Sequence, residues 1–257
     1  HNFAAGQCAL YNNWGGCYNT AIGCAALKSN TTGERSTAIG TEALLCNTTG
    51  TDNTAIGLAA LYNNTTGYEN TAIGLRAMQE HTTGNFNNAL GSQALYYSLS
   101  GNHNFAGGNK ALCSNWGGCY NNAIGKEALC ANTTGSWNNA FGCGALLSTT
   151  TGYGNVAVGN EPLRSNTTGV GNIGIGSTAL YANTTGNNNQ AIGQNGLYNN
   201  TTGCHNTAIG CAALYCNTTG SYNTAFGRDA LRNTLSGTNN FAAGNCAIRN
   251  NWGGCYN

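Results

Sequence analysis

Residues Asn53 to Glu69 read N-T-A-I-G-L-A-A-L-Y-N-N-T-T-G-Y-E, and this seventeen-residue phrase recurs along the whole chain of 257 residues. Its opening Asn returns without slippage at Asn2, Asn19, Asn53, Asn70 and onward to Asn240, with Ser36 the one exception, and Asn257 opens a sixteenth copy. A short fixed period with no insertion is the mark of a solenoid, in which each copy is one coil stacked on the next. The expected fold is therefore all-β: a β-solenoid (parallel β-roll or β-helix) of fifteen coils, with residues 1–257 forming a single continuous array. The ends suggest a window on a longer chain or fibre. There is no initiator Met, and His1–Asn19 nearly superimposes on Asn239–Asn257, both closing on N-N-W-G-G-C-Y-N.

Numbering the columns 1 to 17 from each opening Asn, column 5 and column 15 are Gly in every coil, as in Gly57 and Gly67. Two such glycines imply two places where the backbone takes a positive φ or has no room for a Cβ. Between them lie two short apolar segments, Thr-Ala-Ile in columns 2 to 4 and Ala-Leu in columns 8 and 9. Gly fences each segment and none is long enough for a helix, so the reading is two short strands per coil, joined by a Gly turn and an N-T-T-G turn.

Three coils exchange bulk between columns 2 and 4: Phe3 with Ala5, Phe105 with Gly107, Phe241 with Ala243. Residues two apart on a strand share a face, and a close-packed core conserves volume. Columns 2 and 4 are thus expected to fill the interior together with the column-9 Leu. Column-3 Ala is expected to face away, either as a tight corner or as a flat strip docking on another chain. Column-1 Asn reads as a ladder of side-chain amides at the strand spacing of about 4.8 Å, giving a rod on the order of 70 Å long. Pro162, where other coils have Ala, is expected to cost one ladder bond.

Charge is sparse, 7% of residues with a formal net charge of +1, which offers no electrostatic footprint for nucleic acid or an anionic membrane. No apolar run reaches the roughly 20 residues of a membrane span. Thirteen cysteines favour an oxidising, extracellular or cell-surface setting. Cys113 and Cys130 share a column in adjacent coils and are the strongest disulfide candidates. Cys8 with Cys17, Cys246 with Cys255, Cys17 with Cys24, Cys204 with Cys211, and Cys211 with Cys216 are further options. Asn-x-Thr sequons fall in column 12 at Asn30, Asn47, Asn64, Asn132, Asn166, Asn183, Asn200 and Asn217, with overlapping ones at Asn63 and Asn199. They read as glycosylation sites on an exposed turn, or as turns whose Asn and Thr side chains bond their own backbone.

Coils 1, 7 and 15 replace N-T-T-G with N-W-G-G-C-Y, and Trp14, Trp116 and Trp252 are candidate docking residues for carbohydrate, or local caps over the Gly-Gly turn. The histidines stand without acidic neighbours and the carboxylates are scattered singly. No catalytic cluster, cofactor motif or metal-ligand spacing is found, and the expectation is a non-enzyme. The turn threonines raise ice binding, against which the threonine column is interrupted.

The N-T-A-I-G-x-x-A-L core, as in Asn206–Leu214, resembles the head repeats of trimeric autotransporter adhesins. With the N-T-T-G turn added, it is more similar to repeat arrays of bacterial surface and phage-fibre-like proteins. The resemblance covers essentially the whole chain and implies a cell-surface β-roll, often trimeric, that spaces or attaches. The expected function is an extracellular structural rod or filament, disulfide-braced and glycosylated. It would self-associate end to end or as a homotrimer, with an adhesin head as the alternative.

Overall fold

A computed structural model describes all residues, His1–Asn257, as an all-β solenoid in two compact units, His1–Thr134 and Gly135–Asn257. The first unit holds β1 (Phe3–Ala5), β2 (Thr20–Ile22), β3 (Thr37–Ile39), β4 (Thr54–Ile56), β5 (Thr71–Ile73), β6 (Asn88–Leu90), β7 (Phe105–Gly107) and β8 (Asn122–Ile124). The second holds β9 (Asn139–Phe141), β10 (Val156–Val158), β11 (Ile173–Ile175), β12 (Gln190–Ile192), β13 (Thr207–Ile209), β14 (Thr224–Phe226) and β15 (Phe241–Ala243). Within each unit every strand pairs in parallel with its sequence neighbours, Thr54 opposite Thr71 and Thr207 opposite Thr224, so the register is one period per rung.

One strand forms per coil, not two. Columns 8 and 9 lie instead in a turn that runs from column 6 to column 11. The column-9 residue there is left-handed in every coil, from Leu10 at φ 52° to Ile248 at φ 45°. Columns 7 and 17 are left-handed too, as at Arg76 (φ 55°) and Glu69 (φ 53°). A left-handed backbone costs an L-residue about 1–2 kcal/mol. Bonding between coils offsets that cost: Leu61 N donates to Ala77 O of the following coil (2.9 Å), and Ala59 N to Thr41 O of the preceding one (2.9 Å).

The inverted residue at column 9 turns two consecutive side chains inward, which a strand cannot do. Ala60 and Leu61, like Ala213 and Leu214, are both fully buried. They meet column-3 Ala, as Ala55 and Ala208, which is also fully buried. The predicted facing of the strand is therefore reversed. The core is Ala-Ala-Leu, and columns 2 and 4 point outward, with Ile39 36% and Ile73 39% exposed. A seventeen-residue coil has so narrow an interior that only a methyl fits at column 3. The Phe exchange is real but takes place outside: Phe3 and Phe241 are exposed, and the Phe105 ring lies where a side chain on Gly107 would stand.

The two glycine columns answer two different needs. Gly57 has φ +136°, and a Cβ there would collide with the Gly74 carbonyl of the next coil. Gly50 has an ordinary φ, but a Cβ would strike Asn47 Oδ1 and the Gly67 carbonyl. Pro162 leaves the bonds between coils intact, since Glu161 N still reaches Cys143 O (2.9 Å) and Leu163 N reaches Ala179 O (2.9 Å). What the proline lacks is the bond within the coil that Ala179 N makes to Gly176 O (3.3 Å).

Candidate functional site

The interior of each coil carries two polar columns, and they decide what the surface can do. Column-1 Asn forms the expected ladder. Asn53 Oδ1 accepts from Asn70 N (3.0 Å) and from Asn70 Nδ2 (3.2 Å), and Asn53 Nδ2 donates to Gly67 O (2.7 Å). Column-12 Asn forms a second ladder on the other side of the same carbonyl. Asn64 Nδ2 donates to Gly67 O (3.0 Å) and to Asn47 Oδ1 (2.8 Å). The second unit repeats the pattern: Asn206 and Asn217 both donate to Gly220 O (2.8 and 3.0 Å). Each carbonyl has two lone pairs and both are used.

This overturns the eight column-12 glycosylation sites. Asn30, Asn47, Asn64, Asn132, Asn166, Asn183, Asn200 and Asn217 are all fully buried, facing the core rather than an exposed turn. A glycan is carried on the amide nitrogen, and that nitrogen is inside the coil: Asn30 reaches Gly33 O (3.0 Å) and Asn183 reaches Asn166 Oδ1 (2.8 Å). The overlapping sequons differ. Asn63 and Asn199, in column 11, are partly exposed. The first threonine of each turn uses its hydroxyl on the next coil, Thr48 Oγ1 to Thr65 O at 3.0 Å, while the second, as Thr49, stands exposed.

Where column 12 is not Asn the ladder stops. His81 is fully buried, its ring nitrogens 2.8 Å from Gly84 O and 3.2 Å from Ser98 O, and burial lowers its pKa below the ordinary histidine value. Asn64 Oδ1 has no partner beside it, and Asn217 Oδ1 has none beside Thr234, whose own hydroxyl is also unsatisfied.

The cysteines fall into unlike settings. Cys8, Cys17, Cys24, Cys204, Cys211, Cys216, Cys246 and Cys255 are unbridged thiols. Column-16 cysteines are occupied as weak hydrogen-bonding groups: Cys204 Sγ donates to Thr202 O (3.3 Å), and Cys255 Sγ accepts from Thr238 Oγ1 (3.3 Å). Cys113 and Cys130 are the pair that the coil brings together. They are half-buried thiols in adjacent coils, on one wall of a cavity of about 420 Å³. Burial alone raises the Cys46 thiol.

Aromatic side chains stack along columns. Phe86, His103 and Tyr120 lie face to face in column 17 (4.7 and 4.8 Å between centroids), and Tyr181, Tyr198 and Tyr215 do so in column 10 (5.1 and 5.2 Å). Arg164 and Arg232 flank the tyrosine stack, over Tyr181 at 5.9 Å and Tyr215 at 5.1 Å. Trp14, Trp116 and Trp252, beside the Gly-Gly turns, are 88%, 55% and 63% exposed. No group of three or more His, Cys, Asp or Glu side chains is placed to hold a metal ion, and no helix is long and apolar enough to cross a membrane.

No family model, curated protein or solved structure matches this chain.

Proposed function

We propose that the chain is an extracellular structural protein, a solenoid segment of a surface fibre or appendage that associates with copies of itself and performs no catalysis. The observation behind this reading is the outward face of the strands. In β2 to β6 it presents Thr20, Ile22, Thr37, Ile39, Thr54, Ile56, Thr71, Ile73, Asn88 and Leu90, without a charge. A row of half-exposed Ile adds little to the core, and a contiguous apolar strip of this kind marks an interaction surface. Its spacing repeats once per coil, so a second copy can meet it at every rung. The buried Ala columns cannot serve as a trimer interface.

The test is the double substitution Ile39→Asp with Ile73→Asp, followed by sedimentation and electron microscopy. Lateral bundles should be lost while the melting temperature holds. A native protein that stays monodisperse at every concentration would remove the reading. If sequons are used in such a setting, Asn63 and Asn199 are the positions the fold leaves open.

A second reading, an adhesin head, has one observation in its favour: the exposure of Trp14, Trp116 and Trp252. Indole rings in water are suited to stacking on sugars. The stacked tyrosines are less suited, because their faces cover one another. Trp116→Ala with unchanged melting and lost binding on a glycan array would favour the adhesin; no glycan bound by the native chain would end it.

A further inference from the structure

Two regularities of the coil identify a site in the first unit. Side chains from columns 7 and 10 of one coil meet: Glu161 reaches Arg164 at 3.2 Å, and Asp229 reaches Arg232 at 3.1 Å. Column-10 side chains of adjacent coils also meet, as the Tyr181, Tyr198 and Tyr215 stack shows. In two consecutive coils these columns hold Lys110 with Cys113 and Glu127 with Cys130. The two thiols are therefore neighbours across a rung, one beside a cation and the other beside a carboxylate. The cavity of about 420 Å³ in front of them is lined by Arg76, Lys110 and Tyr96 as well as by both cysteines.

We propose that Cys113 and Cys130 form a thiol–disulfide exchange site for small anionic disulfides, with Cys113 attacking, Cys130 resolving, and Arg76 and Lys110 holding the carboxylates of the incoming molecule. This goes beyond the structural role above and does not depend on it.

The chemistry balances with a low-molecular-weight disulfide as oxidant. The Cys113 thiolate attacks one sulfur of that disulfide, forming a mixed disulfide and releasing one thiolate. Cys130 then loses its proton to solvent and attacks Cys113 Sγ. The second thiolate leaves, and a bond between the two coils remains. The protein dithiol is oxidised and the small disulfide is reduced to two thiols.

The electrostatics support this order. The neighbouring Cys130 thiol is the main influence that pulls Cys113 down, with Lys110 adding to it against the effect of burial. Cys130 is pushed up by the neighbouring Cys113, by burial and by Glu127. A thiol lowered in this way is more ionised at pH 7 than an ordinary one, which favours it as the attacking sulfur. Glu127 lies near Lys126 (4.0 Å) on the resolving side.

The experiment treats the reduced full chain with glutathione disulfide at pH 7 and maps modified peptides by mass. Cys130→Ser should accumulate the mixed disulfide on Cys113. Cys113→Ser should leave Cys130 unmodified, and the native chain should pass to the Cys113–Cys130 disulfide. Cystamine, a cationic disulfide, should react at least threefold more slowly, and Lys110→Gln should erase that preference. Should either Ser variant fail to fold, a brief pulse of iodoacetamide on the native chain serves instead, with Cys113 labelled ahead of the exposed Cys8. Mixed disulfide gathering on Cys130, cystamine matching glutathione disulfide, or Cys8 labelled first would each overturn the assignment.

Discussion

Thr234→Asn should stabilise the protein, although it places a more polar side chain in a fully buried position. Thr234 stands in column 12, where Asn217 Oδ1 on one side and the Thr234 hydroxyl itself have no partner. An Asn of nearly the same volume would donate to both Asn217 Oδ1 and Gly237 O, as Asn217 does to Asn200 Oδ1 (2.8 Å) and Gly220 O (3.0 Å). Gly237 O has a lone pair to spare, since it accepts from Asn223 (2.7 Å). Each unsatisfied buried polar group costs about 1–3 kcal/mol, so repairing two should gain roughly 2 kcal/mol after the added amide is desolvated. Because a solenoid opens coil by coil, the gain is best read locally. Amide hydrogen exchange over residues 217–240 should slow about 30-fold, at tenfold per 1.4 kcal/mol. Thr219→Asn, on the exposed side of the preceding turn, is the control and should change nothing. Unchanged or faster exchange in Thr234→Asn would refute the claim that the column-12 amides hold coils together.

Other outcomes follow from the same geometry. Gly57→Ala should destabilise by about 3 kcal/mol or more, because it joins a forbidden φ to a collision with the next coil's carbonyl; denaturant unfolding measures it, and a cost under 1 kcal/mol would contradict the close approach. Asn53→Ala strips Asn70 N of its side-chain acceptor, leaves Asn70 Nδ2 with Gly84 O alone, removes a donor from Gly67 O, and should cost about 3 kcal/mol by the same assay. His81 has a folded pKa below its unfolded value, so the unfolded chain takes up the proton first. Stability is therefore full above about pH 6.5 and falls as pH drops below it, by at most about 1.4 kcal/mol per pH unit. His81→Asn should flatten that part of the pH–stability curve. Oxidising Cys113 to Cys130 closes a seventeen-residue loop worth about 3 kcal/mol, which should raise the local exchange protection of coils 7 and 8.

The period, the two glycine columns and the Asn53-type ladder were legible because each leaves a fixed residue at a fixed spacing. The facing of the strand was not. It turns on left-handed residues at columns 7, 9 and 17, and left-handed positions are usually read from Gly or Asn. Columns 7 and 17 do carry such hints, in Gly144, Asn195, Gly154, Gly171, Asn188 and Asn239. Column 9 carries none, being Leu, Met78 or Ile248 throughout, because burial of a large side chain outweighs the backbone cost there. Alternation from Thr-Ala-Ile alone puts the bulky residues inside, whereas the interior at column 3 has room only for a methyl beside the column-9 Leu. The buried column-12 Asn was missed for a related reason. Asn-Thr-Thr-Gly is what a solvated turn looks like, and its replacements His81, Ser98, Thr149 and Thr234 are polar too. The one clue was that none of them is charged. The Cys113 and Cys130 pairing was legible from register, but the Lys110 and Glu127 asymmetry needed the knowledge that columns 7 and 10 touch.

The column-12 amides also have a direction. Asn30 donates to Asn13, Asn47 to Asn30 and Asn64 to Asn47, always toward the earlier coil, so their dipoles align. Aligned amides polarise one another and each bond strengthens the next. Thr31, Thr48 and Thr65 donate the opposite way, each to the later coil, and run a counter-current beside them. His81 ends the first run after Asn64, and Thr234 ends the run from Asn166 to Asn217. Each of these runs holds four amides. The substituted rungs act as insulators, so a coil communicates its polarisation to a few neighbours and no further.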